Sequence, residues 1–295
     1  FFSTNFKGQI SIYYRDMEIT MTFVWDDDMH NKCKRISSHM VSLKPCEDQK
    51  SGLRNMKQYV VSLFKERGFE VIEINNSEAE YRPIIIATLK SNKNTTIGFF
   101  GHYDVENVSE SKWSTNPWKL TEVNGRWQAR GVADNIVPLV QRILLSPTLK
   151  KSANLVFVLQ GEEEIGSPFA MEKYSELALP KIDLWIEETG YFYKNGDHRI
   201  MAMNADKKLE KVFEALEILN RRDNRGTKVR NRPMNKAFGN QGCPCLVHLV
   251  KDTPYVALGP NDDFSTIHGV DESINPDLLS ISASQIAKAV EVFSN

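Results

Sequence analysis

Two histidines and a scatter of acidic residues follow one another in this chain in a fixed order: His102-Tyr103-Asp104, Asp134-Asn135, Glu162-Glu163-Glu164, Glu187-Glu188 and His268. Imidazoles and carboxylates are the donors of a hydrolytic zinc site, in which a cation activates water and polarises a carbonyl. Each segment follows an apolar run or stands beside a glycine, where a strand end would hold its side chains at the edge of a sheet. The chemistry expected of such a set is metal-dependent hydrolysis.

The elements that must position these residues are legible as hydrophobic patterns. Lys50 to Arg67 carries Leu53, Met56, Val60, Leu63 and Phe64 at helical spacing, with Gly68 as a stop signal. Phe69 to Ile74, Pro83 to Leu89 and Thr96 to Phe100 read as strands, the last running into Gly101-His102. Val132 to Leu145 reads as a helix with Pro138 near its start, where a missing N–H does little harm. Asn154 to Leu159 reads as a buried strand with Glu162 to Gly166 in the turn after it. Asp183 to Ile186 is a short strand ending at Glu187-Glu188. Ala205 to Asn220 is an amphipathic helix, Cys245 to Leu249 and Tyr255 to Leu258 are strands, and Asn275 to Phe293 is a closing helix. Strands alternating with helices give an α/β class with a largely parallel sheet, and sites in such sheets form beyond the carboxyl ends of the strands.

The totals narrow the function. The 295 residues suffice for one large domain or two small ones, and 41% hydrophobic residues are ample for a core. Lys+Arg is 37 against 38 Asp+Glu, a net charge of -1, so nothing electrostatic favours nucleic acid or an anionic membrane as a partner. The longest apolar runs are too short to span a bilayer. Cys33, Cys46, Cys243 and Cys245 do not form a disulfide framework for a chain of this size; they read as ordinary thiols of a cytoplasmic protein, and Cys243-Pro244-Cys245 without a second pair is a weak zinc signal. Residues 1–25 are aromatic, lack the pattern of a signal peptide, and read as a native extension or a cloning remnant. Residues 26–295 read as a single catalytic domain.

The individual segments carry their own chemistry. In His102-x-Asp104, alternate residues of an extended segment point the same way, so Asp104 is placed to orient the His102 ring through its carboxylate or through its backbone. Three adjacent acids after a buried strand, Glu162-Glu163-Glu164, repel one another unless cations sit nearby. Each segment alone also describes a polar network or a solvated turn; their ordered company is what raises the metal reading.

Between them stand Trp113-Ser-Thr-Asn-Pro-Trp118 and Arg130-Gly131-Val132-Ala133-Asp134-Asn135, and after them Gln160-Gly161-Glu162-Glu163-Glu164-Ile165-Gly166-Ser167, Glu188-Thr189-Gly190 and the H-x-x-x-E of His268 and Glu272. This series resembles the di-zinc exopeptidase and deacylase family, which includes aminoacylases, acetylornithine deacetylase, succinyl-diaminopimelate desuccinylase, carnosinase-like dipeptidases and glutamate carboxypeptidases. The resemblance implies a three-layer, mostly parallel mixed sheet flanked by helices. It implies two Zn2+, with Co2+ or Mn2+ as possible substitutes: one on His102, Asp134 and Glu188 (Glu187 being the fallback), the other on Asp134, Glu164 and His268. Asp134 would bridge the pair, and the peptide bond after it is commonly cis in the family. Glu163 would be the general base for a metal-bridged hydroxide that attacks an amide carbonyl, Asp104 a supporting catalytic residue, and Glu162 outward or behind the site. The substrate class implied is a small N-acyl amino acid or peptide, the alternative being a catalytically silent relative that binds metal or a partner.

The chain also departs from that pattern. Asn135 stands where a second Asp is more frequent, and Ile136 where a Lys is usual. Most members of the family carry an inserted lid domain after the position of Glu188, which makes their dimer and grips substrate. Here only Gly190 to Asn204 separates that position from the next helix, and Asn195-Gly196-Asp197 is a hairpin-turn signal. A short hairpin at 190–204 in place of the lid is therefore expected, with a monomer or a dimer of another type. Substrate contacts then fall to loops carrying Asn240, Asn261 and Asp263.

Overall fold

The computed structural model describes residues 3–5, 9–14, 17–22, 25–231 and 245–295. At the N-terminus β1 (Ser3–Asn5), β2 (Gln9–Tyr14) and β3 (Met17–Thr22) pair antiparallel in that order, a small sheet within the 1–25 stretch. Two helices follow. In α1 (Asp27–Ser42) the Asp26 side chain accepts from the Met29 N–H at 2.8 Å, and Asp27 and Asp28 lie in the first turn, where the helix dipole favours negative charge. In α2 (Lys50–Glu66) Leu53, Met56, Val60, Leu63 and Phe64 form the buried stripe, and Gly68 takes the left-handed φ of +79° just past the end.

A ten-stranded mixed sheet organises the rest. Its strands are β4 (Glu70–Ile74), β5 (Ile84–Leu89), β6 (Thr96–His102), β9 (Asn154–Gln160), β10 (Leu184–Glu187), β11 (Tyr191–Phe192), β12 (His198–Met203), β13 (Thr227–Asn231), β14 (Tyr255–Ala257) and β15 (Asn261–Asp262). They run in the order β15-β11-β12-β14-β10-β6-β9-β5-β4, with β13 paired to β12. The central neighbours β9, β6, β10 and β14 are mutually parallel, while β4–β5, β5–β9, β11–β12 and β12–β14 are antiparallel. A second small sheet joins β7 (Thr121–Val123), β8 (Arg126–Gln128) and β16 (Ser273–Ile274).

The strand period of two divides the core. Phe99, Leu155, Phe157 and Leu159 pack on one face with α1, α2, α3 (Val137–Leu149) and α7 (Leu278–Ser294). Phe100, Val156, Val158 and Trp185 pack on the other with α4 (Pro168–Lys173) and α6 (Leu246–Val250). The amphipathic α5 (Lys207–Arg222) is capped by Asp206 and packs against α7. Gly98 is needed in β6 because a Cβ there would meet the Trp185 ring at 2.5 Å. Among the described residues no helix is long and apolar enough to cross a membrane.

Two element expectations fail. Cys245 to Leu249 is not a strand but the start of α6, whose Leu246, Leu249 and Val250 are buried at helical spacing; so short an apolar run carries no period that separates the two. The helix expected from Val132 is broken at its start. Val132–Ile136 is a π-type turn in which Asp134 and Asn135 leave helical φ/ψ, and regular helix begins at Val137. The Asp134–Asn135 peptide is cis.

Candidate active site

The parallel strands deliver the predicted residues to one edge. His102 ends β6, Gln160 ends β9 and Glu187 ends β10, so the turns that follow β9 and β10 bring Glu163, Glu164 and Glu188 to the carboxyl ends of neighbouring strands. Asp134 enters from the turn before α3, and His268 from a loop between β15 and β16, where its own φ is +61°. Donor atoms of His102, Asp134 and Glu188 lie within 4.8 Å of one another; so do those of His102, Glu163 and Glu164, and those of Glu106, Glu164 and His268. The groups share members and form one continuous row.

Individual contacts define the row. His102 Nε2 meets Asp134 Oδ1 at 2.9 Å, and its Nδ1 faces the Asp104 carbonyl at 3.1 Å and Asp104 Oδ1 at 3.3 Å. Asp104 thus reaches the ring by both routes left open by the sequence. Its buried carboxylate also accepts from the Glu163 N–H at 3.2 Å and the Glu164 N–H at 3.0 Å, tying the acidic turn to the histidine. His268 Nε2 lies 3.2 Å from Asp134 Oδ2 and 3.0 Å from Glu164 Oε2. Glu188 accepts from Asn135 Nδ2 at 2.8 Å and faces Arg142 Nη1 at 3.5 Å. Glu187, the fallback ligand, is held elsewhere, accepting from Tyr255 Oη at 2.7 Å and from Thr189 Oγ1 at 2.6 Å.

Packing so many charges away from water shifts their protonation. Burial pushes the Glu163 carboxyl up to about 8, the surrounding acids adding to it. Burial takes Glu164 to about 7 against the hydrogen bond with His268, and Glu188 to about 7 with Glu187 reinforcing it. For Asp134 burial works upward, but hydrogen bonds with His102 and His268 hold it below the ordinary carboxylate range. Burial works to lower His102, yet its contacts with Asp104 and Asp134 raise it well above the usual histidine value. Contacts with Asp134 and Glu164 lift His268 to about 11.

Several supporting residues have roles that the sequence expectations do not include. Glu272, buried, accepts from the N–H groups of Gly131 (3.0 Å), Ala133 (2.8 Å) and Asp134 (3.1 Å) and from Arg130 Nη1 (2.8 Å), holding the turn that presents Asp134. It stood in the quoted H-x-x-x-E segment but without a function. Arg142, buried in α3, donates to the Leu258 carbonyl at 2.7 Å beside Glu188; an arginine within an apolar helical stripe was the available signal. Gly161 gives Tyr103 its place, since a Cβ there would stand 2.3 Å from the ring.

Glu162, expected outward or behind the site, is buried, and its carboxylate accepts from the Phe169 and Ala170 N–H groups at the start of α4. Two expectations shift. Asn261 is buried, its amide donating to the Ala133 carbonyl at 2.9 Å, so its side chain supports the Asp134 turn from within the protein. Asp263 is exposed and accepts from Tyr191 Oη and the Lys194 N–H, clasping the β11–β12 hairpin. Asn240 and Cys243 lie outside the described residues. Cys33, Cys46 and Cys245 are buried and form no disulfide among the described residues.

The donor set fits divalent metal. Glu164 Oε1 and Asn135 Oδ1 are buried without a hydrogen-bond partner, which ordinary folded interiors avoid. Mixed imidazole and carboxylate donors within 4.8 Å are a set that zinc accepts.

Comparison with known proteins agrees. The model of peptidase family M20/M25/M40 matches residues 98–293. The mouse Beta-Ala-His dipeptidase is 32% identical over 129 residues, covering 41% of this chain and 24% of that protein. The Saccharomyces cerevisiae protein described as a probable di- and tripeptidase, DUG2, is 31% identical over 179 residues, covering 55% of this chain and 20% of that protein. The matched stretches thus span about a quarter or less of these relatives' lengths. The solved structure of the di-peptidase Dug1p from Saccharomyces cerevisiae superposes with a TM-score of 0.68 at 11% identity over 91% of this chain and 97% of that one, a likeness of fold.

Proposed function

The chain belongs to peptidase family M20/M25/M40, and from that premise we propose that it hydrolyses an amide bond in a short peptide or an N-acyl amino acid with the aid of two divalent cations. The observation that carries this reading is the convergence of His102, Asp134, Glu163, Glu164, Glu188 and His268 into one row of overlapping donor groups. The relatives named as dipeptidase and as di- and tripeptidase support short peptides as the first substrates to try.

In this reading His102, Asp134 and Glu188 hold one cation and Asp134, Glu164 and His268 the other. Bound there, a zinc pair supplies Lewis acidity toward the scissile carbonyl and makes water a better acid. The protein does the rest. Glu163 takes the proton of the attacking water on its carboxylate and delivers it to the leaving amine nitrogen. A carboxyl lifted to about 8 in the metal-free protein is set to hold a proton near neutrality, and Glu163 would take the ionised form that a base requires once cations were bound beside it. Asp104 keeps His102 in one tautomer and fixes the backbone of Glu163 and Glu164, acting as a positioning residue. We take the β11–β12 hairpin to stand in for the lid that the resemblance implies, which leaves substrate grip to loops such as that of Asp263.

The test is metal analysis of the purified chain with a panel of dipeptides, tripeptides and N-acyl amino acids, with and without a chelator. Two bound cations and chelator-sensitive turnover are expected. Metal without turnover would favour a silent binding relative, and a chain that takes up no zinc, cobalt or manganese would end the reading.

A further inference from the structure

Glu106 lies two residues beyond Asp104, on the loop that leaves β6, and none of the family-like motifs includes it. Its carboxylate comes within 4.8 Å of donor atoms of both Glu164 and His268. Those are the two residues assigned above to the second cation alone, as opposed to the shared Asp134. Glu106 is half-buried; its Oε1 accepts from the adjacent Asn107 N–H at 3.2 Å, and among the described residues no lysine or arginine pairs with it. The Glu164 side chain in the same group is 5% exposed, and its Oε1 has no hydrogen-bond partner. A buried carboxylate oxygen without a donor, faced by a second carboxylate, costs free energy unless a cation lies between them.

The geometry points to Glu106 as a further ligand of the second cation, a deepening that rests on the two-cation reading above. The two positions then differ in chemistry. The first has one imidazole and the carboxylates of Asp134 and Glu188. The second has one imidazole and three carboxylates, from Asp134, Glu164 and Glu106. Added carboxylate oxygen shifts a site toward harder ions such as Mn2+, whereas zinc is content with fewer donors and with nitrogen among them. The second position is thereby assigned as the one that accepts manganese in preference to zinc, relative to the first.

The experiment is equilibrium dialysis of the full chain, and of its Glu106→Gln variant, against Mn2+ alone and against Zn2+ alone. Bound metal is counted by mass spectrometry and Mn2+ is followed by electron paramagnetic resonance. Wild type should take up two Mn2+. Replacing a direct ligand should weaken one Mn2+ by at least the roughly tenfold that loss of an outer-shell partner costs, and weaken Zn2+ less. Glu106→His, which restores a donor of the zinc-preferring kind, should bring Zn2+ back at that position while leaving Mn2+ weak. Unaltered melting of the metal-free variants checks that they fold. If wild type binds two cations and Glu106→Gln binds both as tightly, this assignment falls and the two-cation reading stands; a raised KM for free-amine peptides alone would then place Glu106 on the substrate's ammonium. If wild type binds no second cation, both fall together.

Discussion

The two ends of the donor row are built differently. At the Glu188 end the side chains come from the core: His102 closes β6, Glu188 follows β10, both are buried, and Asn135 and Arg142 hold the carboxylate in place. At the His268 end they come from loops. His268 sits at a left-handed backbone position with 26% of its side chain exposed, Glu164 rides a short turn tethered by Asp104, and Glu106 is half-buried. A ligand fixed by strand and helix is positioned before metal arrives, whereas one on a loop is ordered partly by the metal itself. The first position should therefore be the tighter and slower to exchange.

Glu163 belongs to neither end, and its removal should produce the largest effect on turnover. General acid–base groups contribute about 10²–10⁴-fold, so Glu163→Gln should lose that much in kcat while keeping both cations. Steady-state kinetics with metal counting checks it; a variant of undiminished kcat would remove Glu163 from the mechanism.

Glu272 serves both ends through the Asp134 turn. Glu272→Ala strips a buried carboxylate from three N–H groups and from Arg130, and breaking a buried pair from one side costs about 3–5 kcal/mol. Denaturant unfolding of the metal-free variant should show that loss, and dialysis should show both cations weakened. If only one position suffered, Asp134 would not be shared. Arg142 serves the first end alone. Arg142→Met leaves Glu188 without its cationic neighbour and the Leu258 carbonyl without its donor, a cost of about 1–3 kcal/mol in the metal-free protein. The same change should enlarge the rise in Tm on adding zinc, because the ion then supplies positive charge that Arg142 no longer gives Glu188. A variant as stable as wild type without metal would show that the pair contributes nothing.

The asymmetry also explains what was legible in the sequence. The strands delivering His102 and Glu188 are short β-branched or aromatic runs buried on both faces, and such runs announce themselves. The α2 stripe and the hairpin at Asn195-Gly196-Asp197 were equally readable, because turn and helix signals are local. What escaped depends on partners far along the chain. The regular pattern from Val132 reads as helix, yet its first turn is pulled out of helical geometry, with Glu272 bonded to it from nearly the other end of the sequence. Arg142 and Asn135 look like a stray charge and a conservative replacement until Glu188 is placed beside them. In α1 the signal is local as well, with Asp26 before Asp27-Asp28 and Cys33, Ile36 and Met40 buried at helical spacing. Glu106 was invisible because one acid in a polar loop has no pattern.

Both ends nevertheless share one electrostatic property, which gives the most finely graded prediction. Without metal, Glu163 titrates near 8 and Glu164 and Glu188 near 7, all above an ordinary glutamate, while His268 is lifted to about 11 above its usual 6.5. Each group therefore binds more proton in the folded chain than in the unfolded one over the interval between its two values. Stability is present at the lower pH and is lost as pH rises through the folded values, at up to about 1.4 kcal/mol per pH unit for each proton so held. His198, on β12 and stacked on Phe192, has the opposite sign. Burial lowers it to about 3, so its contribution is whole above 6.5 and lost as pH falls from there. The two trends oppose each other from about 4.5 to 6.5, the interval set by the ordinary glutamate and histidine values. Between 6.5 and 8 the His198 contribution is constant and the site's carboxyls still titrate. Denaturant unfolding of chelated protein across that interval should show stability falling with pH, and saturating zinc should flatten the slope by replacing the protons. A chelated protein whose stability is level or rising there would mean that the acids of the two ends are not crowded together as described.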